Sequence, residues 1–133
     1  MSDEVTQESK DLAEASGLTV QPDPVHNDHP SAHDLVVADI ELRGYTAAVT
    51  PANLDGVYNL LLAIYIGLLE SKSNAVEEMQ ARREFGLKKY GTTLQPFNGR
   101  DHIADSIDEL GDLLVYVRSY IYEVKHNAEA SSE

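Results

Sequence analysis

Cysteine is absent from this 133-residue chain, and so is tryptophan. Without cysteine the chain forms no disulfide bond and offers no thiolate to a metal ion, and a reducing compartment is permitted. Thiolate metal sites are therefore excluded.

Basic residues are scarce. Lys and Arg together number 10, against 23 Asp and Glu, which gives a formal net charge of −13. Non-specific binding to nucleic acid or to an anionic membrane surface depends on basic patches, so we expect neither partner. A chain of this sign attracts cations instead.

Long apolar runs are also missing. The most apolar stretch, Tyr58 to Leu69, is about a dozen residues long and contains Asn59, whereas a membrane-spanning helix needs roughly 20 residues. It is predicted to be a buried core helix. The N-terminal sequence MSDEVTQESK lacks the basic start and apolar centre of a secretory signal, so we expect a cytoplasmic protein.

The length suits one domain with a modest core. Residues 1–34 are rich in acids and hold three of the five prolines, which predicts a disordered acidic tail. His26, His29 and His33 lie close together there and could suggest a metal site, but chance composition is the preferred interpretation. Residues 35–126 form the predicted α-helical domain, and residues 127–133 a frayed C-terminus.

About four helices are predicted in this domain. The first runs from Ser31 or Ala32 to about Gly44. The second begins at Thr50-Pro51, because a threonine N-cap followed by proline is a preferred helix start, and it continues to about Glu70.

The third helix is predicted from Ala75 to about Lys89. Asn74 and Glu77 resemble a capping box at its start, and Gly91 stops it. Alternatively, the second and third helices form one kinked rod. The fourth helix follows Asp101, which is a suitable N-cap, and reaches about His126.

The fourth helix carries an apolar seam. Apolar residues recur along it at alternating spacings of four and three, which is typical of a helix packed lengthwise against other helices. The second helix is apolar on nearly every side, and one chain of this size offers few helices to cover it, so we expect a homodimer. The seam consists of Ile103, Ile107, Leu110, Leu114, Val117, Ile121 and Val124.

A stripe of carboxylates lies nearly opposite the seam. At about 100° per residue, Asp105, Asp108, Glu109 and Asp112 fall on one side of the fourth helix, and Tyr116 continues the stripe. Like charges at this spacing repel one another. Either the stripe is a solvated face near the positive end of the helix dipole, or Mg²⁺ offsets its charge.

A basic segment precedes this acidic helix. Cations near a helix C-terminus complement its dipole, which is one adequate explanation. In the other, they bind phosphate, while two aromatic side chains, Tyr90 and Phe97, stack on a base or pack on the core. The basic segment holds five of the ten basic residues: Arg82, Arg83, Lys88, Lys89 and Arg100.

The sequence from Glu109 to Leu114, ELGDLL, resembles the second acidic motif of the MazG-like all-α nucleoside triphosphate pyrophosphohydrolases. The stretch from Arg82 to Gly91 and the following loop to Asp101 resemble a pattern found in small phage and actinobacterial proteins. The resemblance covers about Val76 to Tyr122. The first acidic motif of the family, Glu-Glu-x-x-Glu, is matched by Glu77-Glu78, with Ala81 in place of its third acid.

This resemblance implies an α-helical bundle that forms a dimer or a tetramer. It also implies Mg²⁺ held by acids from two facing helices, and hydrolysis of a nucleoside triphosphate to the monophosphate and pyrophosphate. One carboxylate of the stripe would act as general base, and the basic groups would offset phosphate charge. The expected site residues are Glu77, Glu78, Glu109 and Asp112 for the metal, Glu109, Asp112, Asp105 and Asp108 for catalysis, and Arg82, Lys89, Tyr90, Arg100 and Tyr116 for the nucleotide.

Two other functions fit the same sequence. With an incomplete first acidic motif, the chain could bind and sequester a nucleotide or cyclic nucleotide without cleaving it. A helical interaction module without a small ligand would need only the apolar seam and the apolar second helix.

Overall fold

A computed structural model describes residues 6–44 and 47–131. All regular structure in these ranges is helical, with five helices and no strand, so the all-α prediction is confirmed. The helices are α1 (Gln7–Ala15), α2 (Ala32–Leu42), α3 (Leu54–Leu69), α4 (Lys72–Tyr90) and α5 (His102–Ser131).

The chain divides into two compact units. Within the described residues, the first unit consists of residues 24–44 and 99–131 and contains α2 and α5. The second consists of residues 6–23 and 47–98 and contains α1, α3 and α4. Helix α2 packs on α5 in the first unit, and α4 contacts both α3 and α1 in the second.

Helix α1 lies inside the range expected to be a disordered tail. The Thr6 hydroxyl caps it by accepting a hydrogen bond from the Ser9 backbone N–H. Lys10, on this helix, forms an ion pair with Asp23 at 2.8 Å. Helix α1 was not among the four predicted helices. The remaining residues of the described tail before α2 have no regular secondary structure.

Helix α2 matches its predicted extent. Ser31 caps it by accepting a hydrogen bond from the Asp34 N–H, and it ends at Leu42.

The start predicted for the second helix at Thr50-Pro51 is wrong. Asn53 is the N-cap of α3, and the backbone from Thr50 to Asn53 forms a turn. The Asn53 side chain closes this turn by accepting from the Thr50 N–H and donating to the Ala48 carbonyl. Because these bonds hold residues 50–53 in a turn, the helix begins at Leu54.

Helices α3 and α4 are separate, which decides between the two alternatives left by the sequence. They are bent by 102° at their junction, where Glu70 adopts a left-handed conformation with φ 66°. The Ser71 hydroxyl then caps α4 by accepting from the Asn74 N–H. The predicted Asn74 capping box is therefore wrong, because the Asn74 amide donates back to the Leu69 carbonyl instead.

The predicted end of α4 and start of α5 are confirmed. Gly91, with φ 76°, ends α4, and the Asp101 carboxylate accepts from the N–H groups of Ile103 and Ala104 at the start of α5. Helix α5 continues to Ser131, beyond the end predicted near His126, and residues 132 and 133 of the expected frayed C-terminus lie outside the described residues.

Little apolar surface is buried within the chain. Ala75 is the only buried residue among those described. The apolar helix α3 was predicted to be a buried core helix, yet Tyr58, Leu60 and Leu68 are each more than 60% exposed. Among the described residues, α4 packs against α3 and covers only one side of it.

Among the described residues no single helix is long and apolar enough to cross a membrane. Helices α3 and α4 reach that length and composition only as a bent pair.

Candidate functional site

Arg100 and Asp105 form a bidentate ion pair at the start of α5. The Arg100 Nε and Nη2 atoms donate to the two carboxylate oxygens of Asp105 at 2.9 and 2.8 Å. These hydrogen bonds hold the pKa of the Asp105 carboxyl below its ordinary value. The predicted phosphate-binding arginine therefore contacts a predicted catalytic carboxylate.

The other carboxylates of the stripe follow on the next turns of α5. Asp108 and Glu109 are exposed and Asp112 is half-buried. Within the described part of the chain, neither Glu109 nor Asp112 has an ion-pair partner. These two side chains, three residues apart on one helix, are the predicted metal ligands of the second acidic motif.

Helix α2 packs on α5 and leaves the seam exposed. Along α5, the half-buried positions include Asp112, Val115, Ser119 and Tyr122, which recur at spacings of three and four. All seven seam residues are between 38 and 66% exposed. Among the described residues, α2 packs on α5 without covering the seam. Packing of the seam against other helices in a dimer therefore stays a prediction.

The direction of α2 follows from its contacts. Arg118 of α5 forms an ion pair with Asp39 of α2 at 2.9 Å. Nearer its start, α2 contributes Leu35 to a cavity that is also lined by Tyr122 and His126 of α5. Helix α2 therefore runs antiparallel to α5.

The predicted site residues of α4 lie in the second unit. Glu78 is paired with Arg82 one turn later, at 3.2 Å, so a predicted metal ligand contacts a predicted phosphate ligand. Glu77 is exposed. The Lys89 Nζ atom lies 5.7 Å from the centre of the Phe85 ring and 5.2 Å from that of Tyr90, within the range of cation–π attraction.

The structure thus brings the predicted residues together in two groups. One group is on α4 and contains Glu77, Glu78, Arg82, Lys89 and Tyr90. The other group consists of Arg100, which precedes the Asp101 cap, and of five residues on α5: Asp105, Asp108, Glu109, Asp112 and Tyr116.

The donors on α5 are suited to Mg²⁺ by type. This ion takes oxygen ligands, and it commonly uses one or two carboxylates while waters and substrate phosphates fill its other positions. Glu109 and Asp112 provide two carboxylates. No three His, Asp or Glu side chains in the described ranges are grouped so as to hold a metal ion by themselves, so a closed, all-protein cage is not formed here.

A cavity that the sequence analysis missed lies in the first unit. It has a volume of about 570 Å³, and the segment before α2 and the C-terminal half of α5 both contribute to it. His29 contacts Tyr122 and His126 there. His29 and Tyr122 are 93 residues apart in the sequence, and no local pattern indicates that they meet. The cavity is lined by Asn27, His29, Pro30, Ala32, Leu35, Ser119, Tyr120, Tyr122, Glu123, Val124, His126 and Asn127.

Comparison of the chain with protein-family models, with curated proteins and with solved structures finds no match.

Proposed function

We propose that this chain is a Mg²⁺-dependent nucleoside triphosphate pyrophosphohydrolase of the MazG-like type, which acts as a homo-oligomer. One observation carries the proposal. Glu109 and Asp112 project from consecutive turns of α5 without ion-pair partners in the described chain, and they stand in the ELGDLL sequence that resembles the family's second acidic motif.

The carboxylates have a clear chemical use in this reaction. A nucleoside triphosphate carries several negative charges, and phosphoryl transfer depends mainly on positioning and on electrostatic stabilisation. Mg²⁺, when bound, supplies charge neutralisation for the phosphates. Glu109 and Asp112 would hold it, and Glu78 with Glu77 on α4 would contribute further acids in the assembled oligomer.

The remaining residues orient the substrate and the attacking water. Asp108 is assigned the general base, which accepts a proton as the water oxygen bonds to the α-phosphorus and the bond to the pyrophosphate oxygen breaks. Asp105 is assigned the positioning of Arg100, since both of its oxygens accept hydrogen bonds from that guanidinium. Arg100, Arg82 and Lys89 would offset phosphate charge, and Tyr90 and Tyr116 would contact the base.

Pyrophosphate release tests the proposal. The full chain is incubated with a panel of ribo- and deoxyribonucleoside triphosphates, with Mg²⁺ or with EDTA, and the products are separated to identify the monophosphate. Glu109→Gln removes the charge but keeps the shape of the side chain, and it should abolish metal-dependent release. Glu41→Gln, at an exposed glutamate of α2, is the matched control and should retain full release.

The outcomes separate the hydrolase from a sequestering protein. Metal-dependent release that is lost in Glu109→Gln and retained in Glu41→Gln supports the enzyme. Stoichiometric binding of a nucleotide that is recovered intact contradicts the hydrolase and favours sequestration. Release that is equal in both variants removes Glu109 from the site.

The exposed seam of α5 specifically favours a second candidate function, a helical interaction module. Seven apolar residues on one face of a 30-residue helix are more than a monomer usually leaves uncovered, since contiguous exposed apolar patches mark interaction surfaces. This candidate requires no nucleotide. Failure of every nucleotide in the panel to raise the melting temperature would favour it, because a ligand at 100 times its dissociation constant stabilises a protein by about 2.7 kcal/mol.

A further inference from the structure

The segment before α2 lies against the C-terminal half of α5. The Asn27 side chain accepts a hydrogen bond from the His29 N–H at 3.0 Å, which forms a local turn at the imidazole. The Nδ1 atom of His29 is 3.3 Å from the Tyr122 hydroxyl oxygen. The His29 and His126 rings stand edge to face, with centres 5.2 Å apart.

We propose that His29 and His126 form a binding site for a divalent transition-metal ion such as Zn²⁺, Ni²⁺ or Cu²⁺. Imidazole is the common protein ligand of these ions. Two imidazoles that each bind one shared ion through a bond of about 2.0–2.1 Å have ring centres roughly 5 Å apart. The His29 and His126 ring centres, 5.2 Å apart, are already close to that separation, and rotation of the two exposed side chains would turn one nitrogen of each ring toward a shared ion.

Tyr122 gives the His29 ring a defined role. A ligating histidine usually donates the N–H of its second ring nitrogen to an acceptor, which fixes the tautomer and the ring orientation. In the tautomer that carries its proton on Nδ1, His29 donates to the Tyr122 hydroxyl, and its Nε2 atom keeps a lone pair for the ion. Tyr122 also stacks on His126, with the two rings inclined by 10°, and so it contacts both proposed ligands.

The charge of the cavity favours a cation. Among the described residues that line it, Glu123 is the only Asp, Glu, Lys or Arg. The chain as a whole carries a net charge of −13. With two protein ligands, the other coordination positions of the ion are open to water or to a small exogenous ligand that enters the cavity.

This site is chemically separate from the proposed Mg²⁺ site. Mg²⁺ prefers oxygen ligands, whereas an imidazole pair selects the later first-row ions. The inference rests on His29, Tyr122 and His126 and does not depend on the proposed hydrolase activity.

Calorimetric titration of the full chain with ZnCl₂ at pH 7.5 tests the proposal. We expect one site per chain, and we expect His29→Ala and His126→Ala each to weaken Zn²⁺ binding by more than about tenfold. His33→Ala and His102→Ala are matched controls, because both residues are exposed and neither lines the cavity. Each control should change the dissociation constant by less than about twofold.

Two results would overturn the proposed site. One is the absence of Zn²⁺ binding at millimolar ZnCl₂, and the other is an equal loss of Zn²⁺ affinity in all four variants. Far-UV circular dichroism of each variant establishes that its helices are intact. Since His29 precedes α2 and His126 is exposed on α5, neither substitution removes a buried group.

Spectroscopy gives a readout that a purely structural role would not move. The Cu²⁺ form of the wild-type chain should show electron paramagnetic resonance couplings to two imidazole nitrogens, and His126→Ala should show coupling to one. Tyr122→Phe keeps the ring and removes the acceptor, and it should weaken Zn²⁺ binding severalfold, up to about tenfold. Unchanged nitrogen couplings in His126→Ala would contradict the assignment of that ligand.

Discussion

Arg118 of α5 and Asp39 of α2 form an ion pair across the helix interface of the first unit, with 2.9 Å between Nε and Oδ2. The two residues are 79 positions apart in the sequence. The Arg118 side chain is 25% exposed and that of Asp39 56%, so solvent reaches the pair from the α2 side and its contribution falls in the range of surface ion pairs.

The coupling between these two charges should therefore be measurable. A double-mutant cycle with Arg118→Ala and Asp39→Ala, read out by urea unfolding, should give a coupling free energy of about 0.5–1 kcal/mol. The coupling should fall as the salt concentration is raised. A coupling of zero at low salt would show that the pair does not hold α2 on α5.

Replacement of the α4 cap should destabilise the second unit. Ser71 accepts from the Asn74 N–H at 3.0 Å, and loss of an N-cap hydroxyl costs about 1 kcal/mol. Ser71→Ala should lower the free energy of unfolding by that amount, and Ser71→Asp should restore it, because aspartate also caps. An equal loss in both variants would mean that capping is not the role of Ser71.

Introducing glycine at one helix end and removing it from another should change stability in opposite directions. Glu70, at the end of α3, has a φ of 66°, and Gly91, at the end of α4, has a φ of 76°. Glycine adopts this conformation without the steric cost of a Cβ atom. Glu70→Gly should raise the free energy of unfolding by about 1 kcal/mol, and Gly91→Ala should lower it by about the same amount. The melting temperature should shift in the same direction as the free energy in each variant. Shifts of the same sign in both variants would contradict this account.

The Arg100–Asp105 pair should make stability depend on pH. Hydrogen bonds from Arg100 lower the pKa of Asp105 in the folded chain. The contribution of the pair is therefore fully present above the unfolded pKa of the carboxyl and is lost as pH falls through the lower, folded pKa. Arg100→Gln should raise the pKa of Asp105 toward its ordinary value of 3.8.

Carboxyl ¹³C chemical shifts followed through an acid titration measure this pKa directly. Asp105 should titrate at a lower pH in the wild-type chain than in Arg100→Gln. Coincident Asp105 curves would contradict the pairing.

The seam of α5 should mediate self-association. Leu114 lies at the centre of the seam and is 48% exposed. Leu114→Asn should weaken the dimer by at least about tenfold, which corresponds to about 1.4 kcal/mol, without loss of helicity. Ala104→Asn, at an exposed position of α5 off the seam, is the control. Sedimentation velocity over a concentration series measures self-association of both variants. An equal change in the two variants would show that the seam is not the interface.

Capping and stop residues in the sequence predicted several helix ends but not the start of α3. Gly91 and Asp101 each act at the predicted position. At the start of α3, however, threonine and asparagine stand three residues apart, and both are good caps. The helix begins after Asn53, whose side chain makes no capping hydrogen bond to α3 and instead holds the preceding turn through the Thr50 N–H and the Ala48 carbonyl. These contacts depend on the loop geometry and not on residue type.

Periodicity identified the apolar and acidic faces of α5 but not the face that α2 covers. Helix α2 has 11 residues, too few to cover a seam that spans Ile103 to Val124. Its placement follows the Arg118–Asp39 pair, which joins distant parts of the sequence. The meeting of His29 with Tyr122 and His126 was missed for the same reason, since residues 93 positions apart share no repeating pattern.

The same sequence separation sets the order in which the molecule assembles during synthesis. Helices α3 and α4 are consecutive, so their contacts form as soon as Tyr90 has left the ribosome. Helix α2 must wait for Arg118, and 79 residues take roughly 4–16 s at about 5–20 residues per second. Through that interval α2 lacks its partner helix, and a neighbouring nascent chain on the same messenger that has already exposed α5 is the nearest substitute. Exchange of α2 between two chains is therefore the characteristic assembly error of this topology.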